Sequence, residues 1–172
     1  MKSQAKNTAA SSILDMLRED HRKVKKLFEE FEDAKNSRAK QEIVDTALEE
    51  LEIHAQLEEE LIYPAIRPEI DDEDLMDEAV EEHHVVHVLI AELKKMKAGD
   101  DRFDAKFTVL AENVKHHIKE EETEMFPKIQ KIQIDWESLE AEVVELKEEL
   151  TSQTVSPSKS SRNGASKKKS AA

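Results

Sequence analysis

The chain of 172 residues has no cysteine. That absence excludes a disulfide framework, a thiolate zinc site and thiol chemistry. Glycine and proline are scarce, at 2 and 4, which favours long helices over sheet. No apolar run reaches 18 residues and none of signal-peptide length stands at the start, so a soluble, cytoplasmic protein is expected, without a membrane partner. Basic charge is also short, with 26 Lys and Arg against 40 Asp and Glu, for a net charge of -14. All of the acids precede residue 151, whereas Lys159, Arg162, Lys167, Lys168 and Lys169 follow it. A body that acidic repels nucleic acid and anionic membranes, and no nucleic-acid partner is expected.

Present instead are apolar residues in steps of three and four, the period of an amphipathic helix. After a polar lead-in over 1–11, Ser12 to Asp15 resembles a capping box. A first stripe reads Leu14, Leu17, His21, Val24, Phe28, Phe31. Asn36 and Ser37 can cap a second helix, whose stripe is Val44, Ala47, Leu51, His54, Glu58, Leu61, Ala65, and which Pro64 and Pro68 are expected to end. The third reads Met76, Ala79, His83, Val86, Ile90, Leu93, with Gly99 as its stop. The fourth reads Phe103, Phe107, Leu110, Val114, His117, Glu121, up to Pro127. Short connectors make this an all-α, up-down antiparallel four-helix bundle over 12–132. Trp136, Leu139, Val143, Leu146 and Leu150 predict a short fifth helix over 133–150, lying on the bundle or forming a dimer seam, so that the protein is a monomer or a dimer. The Ser/Lys-rich segment 151–172 reads as a disordered tail.

The bundle is internally duplicated. Asp20-His21-x-x-Val24-x-x-Leu27 matches Glu82-His83-x-x-Val86-x-x-Leu89 at an offset of 62, whereas His54-x-x-x-Glu58 and His117-x-x-x-Glu121, each closed by an aromatic-Pro pair, stand 63 apart. A four-residue step returns to nearly the same helix face, so each copy points an imidazole and a carboxylate in one direction. His87 stands one turn after His83 and can also face inward; its counterpart in the first helix is Lys25. Glutamate in an apolar core costs several kcal/mol unless it is paired, and two of them beside five histidines make sense around a cation. Imidazole with carboxylate suits iron, manganese or zinc. Seven ligands exceed the needs of one ion, so two ions sharing Glu58 and Glu121 are the natural count, and an uneven split of histidines would leave one ion open to a small molecule. His84 and His116 are turned away by about 100° and are expected to be exposed. The Glu-x-x-His spacing of ferritin-like di-iron bundles occurs only off the stripe, as Glu81-x-x-His84, which disfavours that fold.

In this order, His…His-x-x-x-Glu…His…His-x-x-x-Glu over roughly 12–130, the chain resembles the hemerythrin-like, or HHE cation-binding, domain family. The resemblance implies two non-haem iron ions with an oxo or hydroxo bridge, held by His21, His54, Glu58, His83, His87, His117 and Glu121. Oxygen-carrying members place an aspartate five residues after the last histidine. Glu122 holds that place here and is the alternative to Glu121, although helix geometry favours Glu121. The implied function is reversible binding of O2 or a similar small ligand, in a metal-binding protein rather than an enzyme. Leu51, Val86, Ile90, Leu110 and Val114 would line a dry pocket. The alternatives are oxidation of peroxide, nitric oxide or ferrous iron at the same centre, or an iron or oxygen sensor acting through the C-terminal helix.

Overall fold

The computed structural model describes residues 2–155, with side chains over 8–154. Within them the chain is helical, without strands. Helix α1 (Lys2–Asp33) is followed by α2 (Ser37–Leu57), which passes through a π-helical turn (Glu58–Ile62) into α3 (Tyr63–Ile66). The second half repeats this with α4 (Glu73–Leu93), then α5 (Phe103–Glu120), a π turn (Glu121–Met125) and α6 (Phe126–Ile129). A last helix, α7 (Trp136–Val155), lies along α1 and α2. The four-helix bundle and its fifth helix are thus as the apolar periodicity predicts.

Asn36 caps α2 as expected, its side chain accepting from the Ala39 N–H at 2.9 Å, and Asp72 caps α4 by accepting from Leu75. Four local expectations are corrected. First, α1 starts at Lys2 and not at Ser12, and buried Ala9 and Ala10 carry its apolar face back beyond Ile13. Alanine is the best helix former, and its small side chain lets α1 approach closely. Second, α7 is not short. It spans 20 residues and takes in 151–155, which were expected to be tail. Residues 156–172, the rest of that expected tail, lie outside the described residues. Third, α4 stops at Leu93, before Gly99, which sits in the connector at φ 108°. Fourth, the helix does not stop at Pro64 itself: a π turn carries it through to Ile66, just before Pro68, and a second π turn likewise carries the chain through Pro127 to Ile129.

The core falls into two apolar clusters. One holds Leu14, Leu17, Leu57, Ile62, Ile66, Met76 and Phe126, together with Trp136, Leu139 and Val143 of α7. The other holds Val24, Phe28, Phe31, Val44, Leu48, Leu93, Phe103, Phe107 and Leu110. Each large side chain removed from water contributes about 1.5–3 kcal/mol, and Phe107 adds ring contacts to Phe28 and Phe31 at centroid distances of 5.6 and 4.5 Å. The fifth helix therefore spends its apolar stripe on its own chain, through Trp136, Leu139 and Val143. Along α1, Leu17 belongs to the first cluster and Val24 to the second, with His21 between them. The same holds for His54 on α2 and His83 on α4, while His117 lies near the end of α5, whose apolar residues belong to the second cluster, and Met125 of the first follows in the π turn. A polar belt thus crosses an otherwise apolar interior.

Candidate metal centre

The belt consists of His21, His54, Glu58, His83, His117 and Glu121, all buried, with Glu58 at 0% and Glu121 at 1% exposure. Each long helix of the duplicated bundle supplies one histidine, and each imidazole turns its Nε2 inward. The nitrogens of His21 and His54 stand 3.3 Å apart, and those of His83 and His117 3.0 Å apart. The carboxylates lie between these pairs. Glu58 Oε2 is 3.3 Å from the Nε2 atoms of both His54 and His83. Glu121 Oε2 is 3.2 Å from that of His21 and 3.5 Å from that of His117. Each carboxylate therefore touches one histidine of each pair. Two trios of donor atoms converge within 4.8 Å, His21 with His54 and Glu121, and Glu58 with His83 and His117.

The outward nitrogens meet carboxylates that the sequence reading did not assign. His21 Nδ1 lies 2.8 Å from Glu122, His83 Nδ1 2.8 Å from Glu59, and His117 Nδ1 2.7 Å from Glu82. His54 Nδ1 faces Asp20 at 3.5 Å. The pattern follows the duplication. The acid before His21 or His83 serves the next helix of its own hairpin, and the acid after Glu58 or Glu121 serves the other hairpin. Glu122 stands behind His21, at its Nδ1, while Glu121 stands in front, at its Nε2. A carboxylate on Nδ1 fixes the tautomer and ring orientation and makes Nε2 more basic, as behind metal-bound histidines.

The π turns shape the belt from below. Proline lacks the N–H that would bond the carbonyl four residues back, and its ring clashes with that carbonyl. Here the turn before each proline widens, and Tyr63 and Phe126 bond back five residues, to the carbonyls of Glu58 and Glu121. The widened turn brings the aromatic under the belt. Phe126 stacks on His21 at 5.9 Å and 8°, and Tyr63 packs on His83 at 5.4 Å. The two copies differ by one hydroxyl. Tyr63 donates it to Glu121 at 3.0 Å, and it lies 3.5 Å from Glu58 and from His83 Nε2.

The charges are strongly coupled. Burial alone would lower the pKa of His54, but Glu58, Asp20 and Glu121 outweigh it and raise the value to about 10. His83 is likewise depressed by burial yet raised to about 9 by Glu58 and Glu59. Burial would raise Glu58, but His54 and His83 hold it well below the usual carboxylate range. Burial and the two carboxylates push the Tyr63 phenol well above its ordinary value, so it stays a hydrogen-bond donor. A pocket that draws protons onto imidazole so firmly is a strong attractor of cations. Three buried atoms, His54 Nδ1, Glu58 Oε1 and Glu121 Oε2, make no hydrogen bond, and such orphans are costly unless something else satisfies them. Donor separations of 3.0–3.3 Å also match the edge of a coordination shell, about 3.0–3.4 Å for ligands about 2.1 Å from one ion.

His87 is not brought into the belt. Its side chain is 42% exposed, and its Nε2 bonds Glu59 at 2.8 Å, behind His83. Lys25, its counterpart, approaches Glu122 at 3.7 Å. His84 and His116 are exposed, as expected, and His116 forms a surface group with Glu82 and Glu120. Above the belt, on the side away from Tyr63, lies a cavity of about 20 Å³, space for about one water-sized molecule. Its walls include Val24, Leu51, Val86, Val114 and Ile118. Of the five expected lining residues, Leu51, Val86 and Val114 are there, whereas Ile90 and Leu110 are buried deeper in the second cluster.

Known proteins resemble the chain in sequence and in fold. A DNA nickase of Nostoc sp. (strain PCC 7120) is 31% identical over 121 residues, which cover 69% of this chain and 33% of the nickase. The chain thus spans about a third of the length of that relative. A crystal structure of a hemerythrin HHE cation binding domain-containing protein, the Rv2633c homologue from Mycobacterium kansasii, superposes with a TM-score of 0.69 at 25% identity, covering 82% of this chain and 88% of that one. The family model of the hemerythrin HHE cation binding domain matches residues 12–129. With four histidines and two glutamates gathered in the duplicated bundle, the chain belongs to the hemerythrin HHE cation-binding domain family.

Proposed function

We propose that the belt holds two iron ions and that the protein binds O2, or a ligand of similar size, reversibly beside them. The observation that carries this reading is the placement of the carboxylates. Glu58 and Glu121 each stand between a histidine of one pair and a histidine of the other. Carboxylates so placed would be within reach of two cations, which supports a pair of ions over a single one. In this reading His21, His54 and Glu121 serve one ion, and His83, His117 and Glu58 the other, with both carboxylates shared.

Reduced iron would supply electrons to a bound oxygen molecule and take them back on release. The chain's own residues do the rest. Glu59, Glu82 and Glu122 orient the imidazoles of His83, His117 and His21, Tyr63 holds Glu121 by a hydrogen bond, and the valine, leucine and isoleucine side chains of the cavity wall keep it largely apolar. The cavity's small size and mostly aliphatic wall support reversible binding; apart from the belt histidines its one ionisable lining residue is Asp20, which Lys147 holds. His87 contributes to the site through Glu59.

Anaerobic reconstitution with ferrous iron, metal counting and absorbance after exposure to air test the reading. Two irons per chain and a charge-transfer band that bleaches under argon and returns in air are expected. Irreversible conversion to a ferric product would replace carriage with oxidation chemistry, and less than one iron per chain would sink the metal site.

A further inference from the structure

The two halves of the belt are unequal where their outer carboxylates meet the histidines. Asp20 and Glu82 are equivalent in the duplication, each aimed at the Nδ1 of the histidine on the next helix. Glu82 reaches its partner, with Oε2 at 2.7 Å from His117. Asp20 does not: its nearest oxygen stops 3.5 Å from His54, whose Nδ1 is buried and makes no hydrogen bond. Part of the shortfall is chemical, since aspartate is one methylene shorter. The rest is competition. Lys147 of α7 donates to both Asp20 oxygens, at 2.7 and 2.6 Å, where the carboxylate is only 12% exposed. No helix covers the opposite hairpin in this way among the described residues, and the free oxygen of Glu82 faces only the exposed His116, at 3.4 Å.

We infer that Lys147 is a positioning residue through which α7 withholds Asp20 from His54, making His21–His54–Glu121 the weaker of the two cation half-sites. The inference rests on the two-ion reading given above. An imidazole whose Nδ1–H is held by a carboxylate is a stronger donor at Nε2, and loss of such a partner costs about 10–100-fold in metal affinity. His117 has that support from Glu82. The support available to His54 is spent on an ammonium group. Loading is therefore ordered: the His83–His117–Glu58 half fills first, and the other half follows with an affinity set by how closely α7 is seated.

The test is an anaerobic titration of the metal-free full chain with Co2+, read by calorimetry and by visible absorption. Wild type should bind in two steps. A second cation is always repelled by the first, so the change in the gap between variants is the informative quantity. Lys147→Met keeps the aliphatic stem and removes the ammonium; it should tighten the second step about 10-fold and leave the first unchanged, whereas Lys147→Arg should keep the wild-type gap. A merely structural role for Lys147 would weaken both steps. A second comparison does not depend on α7 staying seated. Glu82→Gln should weaken the first step by about 10–100-fold and Asp20→Asn should cost far less, because Asp20 gives His54 little to lose. Equal losses in those two variants, or a gap that Lys147→Met leaves unmoved, would overturn the inference while the two-ion reading stands. Less than one Co2+ bound per wild-type chain would instead remove the reading on which it rests.

Discussion

The sharpest consequence of the belt concerns pH. His54 and His83 have pKa values of about 10 and about 9 in the folded, metal-free chain, against 6.5 for an ordinary histidine. A histidine whose folded pKa is raised holds its proton more tightly in the folded state than in the unfolded one. Its contribution is complete below pH 6.5 and is lost as pH rises through the folded value. At 1.36 kcal/mol per unit, the shifts correspond to about 5 kcal/mol for His54 and about 3 kcal/mol for His83. Both imidazoles lean on Glu58, so the two contributions overlap, and a total loss of between about 3 and 8 kcal/mol is expected once both have given up their protons. For a chain of this size that lowers Tm by at least about 6 °C. The assay is calorimetry of chelator-treated protein from pH 6.5 to 9.5, where free carboxylates do not titrate and lysines barely do. Metal-loaded protein should behave in the opposite sense, because bound cations replace the protons and at higher pH no proton has to be displaced. A metal-free Tm that is flat or rises across this window would refute the argument that the carboxylates hold protons on His54 and His83.

Three further outcomes follow from the packing. His54→Ala should lose metal on reconstitution, whereas His84→Ala, exposed and outside the belt, should keep the wild-type count by elemental analysis. His87→Ala should keep two metals as well, because its nitrogen engages Glu59; loss of one ion would show that His87 turns inward on loading. Trp136→Ala removes a side chain that is 3% exposed between α7 and α1 and should cost about 3–5 kcal/mol in urea denaturation.

The duplication made much of the site legible. Offsets of 62 and 63 aligned four histidines and two glutamates, and those six are the residues the belt gathers. What the offsets could not resolve was the depth of each side chain. His87 shares a helical face with His83, but one turn further along α4 that face meets α2 near Glu59 at the bundle edge. The four outer acids carried a signal in plain view: each stands next to a belt residue, and each recurs in the second copy. The place of Glu122 behind His21 is not legible from the sequence, because a helical wheel shows directions around one helix and not what arrives from another. Proline marks a break in the sequence pattern without showing its form: at Pro64 and Pro127 the helix widens for one turn and runs on a few residues. The extent of α1 is not legible because Ala9 and Ala10 gain their value from an apolar cluster assembled from distant parts of the chain.

The widened turns also bear on symmetry. A π turn is an α-helical turn holding one residue more than its neighbours, and these two occupy equivalent places, beginning at Glu58 and at Glu121. The extra residue and the proline that accompanies it are therefore common to both hairpins, whereas the hydroxyl of Tyr63 against Phe126, His87 against Lys25, and Lys147 on the last helix are not. The vessel is two-fold in its frame, and these few side chains give it a front and a back.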